Sequence, residues 1–215
     1  MNVTVSRKNL LLFTLLALAG LLGWLWLGAR GPLHNLPPTA TGPWVAFGDS
    51  LTAGFGATDG VDYPALLGKR LGLPIQNFGT AGESSADGLK RVTAVEALSP
   101  RVVLLCFGGN DVLQRLPRDQ MFANLEAMID RLHARGTFVV LIGIRGPSLI
   151  GDVNAKGFKQ LARRKNVLLV PDILDGILGQ PNLMSDQVHP NDAGYEKIAA
   201  RLENELRPLL PKLEK

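Results

Sequence analysis

The chain has 215 residues, of which 46% are hydrophobic and 20% charged, so a disordered protein is excluded and one folded domain plus an extra segment is expected. The net charge of +4 is spread along the chain, which excludes the concentrated basic surface of a nucleic-acid-binding protein. The one basic cluster, Arg163-Arg164-Lys165, indicates a solvated helix face, with weak attraction to anionic lipid as the alternative. Cys106 is the only cysteine, so an intrachain disulfide and a cysteine zinc cluster are excluded.

An uncharged apolar stretch at residues 10–29 follows Arg7 and Lys8. Twenty residues in a helix span about 30 Å, the thickness of the hydrocarbon core of a bilayer. We therefore predict a transmembrane anchor within residues 1–30, with the two basic residues in the cytoplasm and the rest of the chain translocated. A cleaved signal peptide is the alternative, which is disfavoured because Leu27 stands where a cleavage site needs a small residue.

Residues 31–43 contain four prolines and lack the periodicity of a core element, so they are predicted to form a linker to a domain at 44–215. His34 lies in this linker and is expected to be exposed to solvent.

From residue 44 onward, short apolar runs alternate with amphipathic segments. Strands are predicted at 44–47, 75–78, 101–107, 138–144 and 167–170, and helices at 63–72, 89–98, 121–132, 155–164 and after Asn191 through 209. His133 follows the third of these helices and is predicted to be a surface residue near its C-terminus. The alternation predicts a parallel sheet covered by helices on both faces.

A serine follows the first predicted strand, in the run Gly48-Asp49-Ser50. In an open α/β sheet, reactive groups collect beyond the carboxyl ends of the strands. Ser50 could attack an acyl carbon there, and its own N–H could donate to the oxyanion that forms. The alternative interpretation is structural, with Asp49 and Ser50 capping a helix and Gly48 in a turn.

A histidine and a carboxylate lie in one turn before the last helix. Asp186 precedes His189 by three residues, a spacing that lets the carboxylate accept from Nδ1 and leaves Nε2 facing Ser50. Alone, the pair is a weak signal, since an N-cap and a surface histidine would look the same.

Two further strand ends carry possible oxyanion donors. Gly82 follows the second strand, where its bare backbone can bring an N–H close to a substrate oxygen. Asn110 follows the third strand and offers a side-chain amide. With the Ser50 N–H, these groups could form an oxyanion hole, although each separately is more often a turn or cap residue.

Four sequence blocks together resemble the GDSL or SGNH hydrolases. They are Gly48-Asp49-Ser50-Leu51, residues 77–84 with Gly82 at the oxyanion glycine, residues 108–111 with Asn110 at the oxyanion asparagine, and Asp186 with His189-Pro190. The order and spacing of all four agree over roughly residues 44–210. The chain is most similar to the bacterial multifunctional thioesterase–lysophospholipase–arylesterase subgroup.

This resemblance implies a flavodoxin-like three-layer α/β/α sandwich with a five-stranded parallel sheet. It implies a monomeric serine ester hydrolase with the triad Ser50, Asp186 and His189, without metal or organic cofactor. It also implies that the loops after the third and fourth strands set acyl-chain preference. Their apolar residues, which suit an acyl chain or equally pack back on the core, include Val112, Leu113 and Pro147.

The expected substrate is a small-molecule or lipid acyl ester or thioester. Members of the subgroup are usually soluble periplasmic proteins with a cleaved signal. The predicted anchor is therefore a departure, and it would hold the catalytic domain in the periplasm on the bacterial inner membrane. Two alternatives stay open: an O-deacetylase of cell-envelope glycans, and a non-catalytic lipid-binding module.

Overall fold

The computed structural model describes residues 32–144 and 153–215, in which five short apolar segments form one parallel sheet. The strands are β1 (Trp44–Gly48), β2 (Ile75–Gly79), β3 (Val102–Cys106), β4 (Phe138–Ile142) and β5 (Leu168–Val170). Their order in the sheet is β2-β1-β3-β4-β5, and all four pairings are parallel. This is the flavodoxin-like order, so the predicted five-stranded parallel sheet is confirmed.

Helices connect the strands. The α-helices of the described residues are α1 (Ser50–Ala53), α2 (Tyr63–Leu71), α3 (Ser85–Glu96), α4 (Gly109–Leu113), α5 (Arg118–His133), α6 (Val153–Lys165), α7 (Asp192–Leu206) and α8 (Leu210–Leu213), and a 3-10 helix spans Arg207–Leu209. α1 and α4 were not among the predicted helices, because four or five residues are too few to show a helical period. α3 begins earlier than predicted, since Ser84 and Asp87 form a capping box there.

The sheet is covered on both faces, as the alternation of strands and helices predicted. Trp44 and Ala46 of β1 belong to one buried cluster with residues of α2 and α7. Val45 and Phe47 point the other way, into a second cluster with residues of α3, α5 and α6. The three-layer arrangement is therefore confirmed.

From Leu33 onward, the predicted linker packs along the amino-terminal edge of the sheet and belongs to one compact unit that runs to Lys215. The His34 N–H donates to the carbonyl of Asn166 at 2.8 Å, and the Gly42 N–H donates to the carbonyl of Ser99 at 2.9 Å. Asn166 precedes β5 and Ser99 precedes β3, so this segment lies opposite the carboxyl ends of the strands.

The same segment explains why the prediction for His133 was wrong. His133 is only 8% exposed, because its ring packs 4.0 Å from that of His34, centroid to centroid. The Asn35 amide also donates to the His133 carbonyl at 3.0 Å. His34 itself is exposed, as expected.

The predicted membrane anchor, residues 1–30, lies outside the described residues. Within residues 32–144 and 153–215, no helix has both the length and the apolar character needed to cross a bilayer.

Candidate active site

The candidate active site begins where β1 ends and α1 starts. Asp49 caps α1 by accepting the Leu51 N–H at 3.1 Å, which places Ser50 at the first position of the helix. Gly48 is required by close packing, since a Cβ there would lie 2.1 Å from the Thr52 Oγ1. Both interpretations of this motif are therefore compatible: the motif caps a helix, and it also presents a hydroxyl at the carboxyl edge of the sheet.

Ser50, His189 and Asp186 form a continuous hydrogen-bonded series. The Ser50 Oγ lies 3.0 Å from His189 Nε2, and His189 Nδ1 lies 2.8 Å from Asp186 Oδ2. The other carboxylate oxygen accepts the N–H groups of Val188 and His189, each at 2.8 Å. The Val188 N–H and then the His189 side chain lower the pKa of Asp186 to about 2. An ionised Asp186 accepts a hydrogen bond from the Nδ1–H, so the proton stays on Nδ1 and the lone pair of Nε2 faces the serine hydroxyl.

The loop that carries His189 is fixed directly to the loop that follows α1. Gly56 lies at φ +91°, and a Cβ there would lie 2.1 Å from Ser185 Oγ and 3.2 Å from the Cβ of His189. Nearby, the Thr58 N–H and hydroxyl both donate to the Asp192 carboxylate, at 2.7 and 2.8 Å. The serine and histidine, 139 residues apart in sequence, are therefore held together by contacts that a side chain at Gly56 would prevent.

Two predicted oxyanion donors, Gly82 and Asn110, lie on neighbouring segments that are joined by a hydrogen bond. Gly82 has φ +83° and lies in the exposed turn after β2. Asn110, in α4, donates from its side-chain amide to the carbonyl of Glu83, the residue after Gly82, at 2.9 Å. An amide nitrogen carries two hydrogens, and this bond uses one of them.

The comparisons with known proteins fit this geometry. Residues 46–197 match the GDSL-like lipase/acylhydrolase family. The chain belongs to this family.

Two named relatives are similar to this chain over most of their length. The esterase TesA of Pseudomonas aeruginosa is 32% identical over 177 residues, covering 77% of this chain and 88% of the relative. Thioesterase 1/protease 1/lysophospholipase L1 of Escherichia coli K12 is 30% identical, covering 77% of this chain and 84% of the relative.

Solved structures of TesA and of an esterase are also similar to this chain. A crystal structure of TesA has a TM-score of 0.73 at 30% identity and covers 78% of this chain and 99% of that one. The psychrotrophic esterase EstA from Pseudoalteromonas sp., in a structure inhibited by monoethylphosphonate, has a TM-score of 0.72 at 26% identity, covering 80% of this chain and 100% of that one. The protein is a GDSL-type carboxylic ester hydrolase.

Arg91 organises this GDSL site, although the sequence analysis gave it no role. Its guanidinium donates to the carbonyls of Gly48 at 3.0 Å and Phe78 at 2.9 Å, and it pairs with Glu83 at 2.6 Å. The same group lies 4.6 Å from the centroid of the Phe47 ring. Arg91 therefore joins the ends of β1 and β2 to the loop of Gly82. The sequence around an arginine in an amphipathic helix does not show whether its side chain reaches the ends of distant strands.

Asp49 is also more than a helix cap. It is 1% exposed, and burial is the main reason why its pKa rises to about 7. The Leu51 N–H opposes this rise, and the nearby carboxylate of Asp111 adds to it. Asp111 is itself held by the N–H and hydroxyl of Ser85, at 2.8 and 2.6 Å. A buried acid thus stands directly beside the serine.

The residues predicted to bind the acyl group have mixed positions. In α4, Leu113 is 57% exposed, and Val112 is partly buried. Pro147 lies outside the described residues. Sequence analysis missed Phe55, which is 53% exposed with its ring centroid 4.6 Å from that of His189.

Within residues 32–144 and 153–215, no group of three or more His, Cys, Asp or Glu side chains is arranged to hold a metal ion.

Proposed function

We propose that the protein hydrolyses acyl esters or thioesters through a covalent acyl-enzyme on Ser50. The observation that carries this proposal is the hydrogen-bonded series from Asp186 through His189 to Ser50, with distances of 2.8 and 3.0 Å. A serine hydroxyl is a weak nucleophile unless a neighbouring base takes its proton. His189 Nε2 is that base, and Asp186 orients the ring and stabilises the imidazolium.

The reaction proceeds in two halves. Ser50 Oγ attacks the carbonyl carbon while its proton moves to His189 Nε2. The N–H groups of Ser50 and Gly82 and the amide of Asn110 stabilise the oxyanion, and removing one such donor costs about 3–4 kcal/mol of transition-state stabilisation. The bond to the leaving oxygen or sulfur then breaks, its electron pair stays on the leaving atom, and Nε2 returns the proton there. Water, activated by His189, releases the acid from Ser50 by the same route.

The test is Ser50→Ala, measured on p-nitrophenyl esters, together with labelling by a fluorophosphonate probe. We expect turnover and labelling both to be lost. Ser99→Ala is a matched control, because Ser99 lies on the opposite edge of the sheet, before β3. Retained turnover in Ser50→Ala would exclude this serine as the nucleophile.

We also propose that acyl groups longer than acetyl are preferred, which favours esterase, thioesterase or lysophospholipase-like activity over glycan deacetylation. The support is the apolar surface after β3, where Leu113 is 57% and Leu116 39% exposed. A series of esters of one alcohol with acetyl to decanoyl groups tests this. A kcat/KM that is highest for acetyl and falls with chain length would favour the deacetylase instead.

We further propose that residues 1–30 anchor a monomeric enzyme to the inner membrane, with its catalytic domain in the periplasm. The support is the twenty-residue uncharged stretch preceded by Arg7 and Lys8. N-terminal sequencing of membrane-extracted protein should find the chain intact. A mature form that begins near Arg30 would identify a cleaved signal peptide.

A further inference from the structure

Phe55 is an exposed aromatic residue in contact with the catalytic histidine. Its side chain is 53% exposed, and its ring lies 4.6 Å from the ring of His189 with 50° between the planes. Single exposed apolar residues are common on protein surfaces and need no explanation. Phe55 differs because its ring is placed against the group that transfers protons in the proposed reaction.

The backbone of Phe55 is held on both sides, so the direction in which its side chain leaves the main chain is fixed. Its N–H donates to the carbonyl of Ser50 at 3.0 Å, and its carbonyl accepts the buried Tyr195 hydroxyl at 2.9 Å. The flanking glycines, Gly54 and Gly56, have φ values of +86° and +91°, which side chains rarely adopt. Because the main chain on both sides of this half-exposed ring is already ordered, a ligand that contacts the ring has little ordering of the chain to offset.

The chemistry identifies which part of a substrate this surface meets. When the acyl-enzyme forms, the bond between the carbonyl carbon and the leaving atom breaks, the electron pair stays on that atom, and His189 Nε2 gives it a proton. The leaving atom must therefore lie within hydrogen-bonding distance of Nε2. The oxyanion points instead toward Gly82 and Asn110. The group attached to the leaving atom is thus the part of the substrate that extends beside the imidazole, where the Phe55 ring lies.

We propose that Phe55 forms a leaving-group subsite and gives the enzyme a preference for esters of apolar or aromatic alcohols and thiols. This proposal rests on the proposed function of the same site. Offset or edge-to-face contact with the ring would bind the alcohol portion, while the acyl portion lies on the side of Asn110 and Leu113. Phe55 therefore determines specificity and takes no part in proton transfer.

The test compares two esters that share butyrate as the acyl group and whose alcohols have similar acidity, benzyl butyrate and methyl butyrate. In Phe55→Ala, kcat/KM for the benzyl ester should fall on the order of tenfold, mostly through KM, and that for the methyl ester should change little. Phe55→Tyr keeps the ring and should retain the preference. Leu178→Ala removes another exposed side chain, 42% exposed, and should leave the ratio of the two esters unchanged.

The possible results distinguish a failure of the leaving-group subsite from a failure of the proposed function. An equal loss on both esters would mean that the ring only shields or orients His189, and it would overturn the subsite. An unchanged ratio in Phe55→Ala would overturn it as well. A wild-type protein that hydrolyses neither ester and whose Ser50 resists a fluorophosphonate would contradict the proposed function itself. Circular dichroism of each variant checks that the fold is intact, and Phe55→Leu serves as a second variant if alanine unfolds the chain.

Discussion

Replacing Asp49 with asparagine should change how the stability of the protein depends on pH. The carboxyl group is 1% exposed and has a pKa of about 7, raised from its ordinary value of 3.8 chiefly by burial. The unfolded chain ionises near the ordinary value, so between pH 4 and 7 unfolding releases a proton. The wild-type protein therefore loses stability as pH rises through this interval.

The size of the effect follows from the two pKa values. Each unit of difference corresponds to about 1.4 kcal/mol, and integration between pH 5 and pH 8 gives about 2.5 kcal/mol of stability that the wild type loses. Asparagine keeps an oxygen to accept the Leu51 N–H and is an equally good N-cap residue, but it does not ionise. Its buried N–H groups cost a constant amount that is the same at both pH values.

The assay is denaturant unfolding of the wild type and Asp49→Asn at pH 5 and pH 8. The variant should gain about 2.5 kcal/mol relative to the wild type between the two pH values. Asp59→Asn is the matched control, because Asp59 lies on an exposed loop, and its effect should be small and equal at both values. A difference for Asp49→Asn that stays constant, or that shrinks toward pH 8, would refute the idea that burial holds this group protonated.

Three further substitutions test other parts of the structure. Asp186→Asn should lower kcat on the order of 10⁴-fold with little change in KM, because the histidine loses the acceptor that fixes its tautomer; a loss below tenfold would argue against the triad. Burial, and after it the charge of His34, lowers the pKa of His133 from 6.5 to about 4, so the wild type loses stability as pH falls across that range. His133→Gln should remove this loss, because glutamine does not take up a proton. Thermal unfolding at pH 7.5 and 4.5 measures this, and equal sensitivity of both proteins would contradict it. Gly88→Ala should destabilise the fold by about 2 kcal/mol, since a Cβ there would lie 2.5 Å from the ring of the buried Phe107; an unchanged Tm would show that the ring can move aside.

The sheet could be predicted from sequence because its signal is local. Val102–Cys106 and Phe138–Ile142 are uninterrupted apolar runs that fit only buried strands or helix segments, and their shortness decides for strands. The helix Gly109–Leu113 could not be predicted, since five residues complete barely one turn.

The meeting of Ser50 with His189 was predictable for a different reason. In a parallel sheet, the loops that follow the strands all lie at the same edge. A motif after the first strand and a motif before the last helix can therefore be neighbours in space, although they are far apart in sequence. The positions of Arg91 and Phe55 could not be predicted in this way. Their roles depend on carbonyls and rings contributed by distant segments, and neither residue type marks such a contact in the sequence. His133 was misplaced for the same reason, since the N-terminal segment that covers it lies about a hundred residues earlier.

The first and last residues of the compact unit, Leu33 and Lys215, lie on the same side of it. The N-terminal segment runs beneath β3 and β5, and near the other end the Trp44 indole, at the start of β1, donates to Glu214 at 2.8 Å. An affinity tag, a resin linkage or a fused carrier at either end would thus attach to the face remote from Ser50. The compact unit alone, immobilised through either of its ends, should keep the rate of the free unit, whereas coupling through the loop at Thr58 should not.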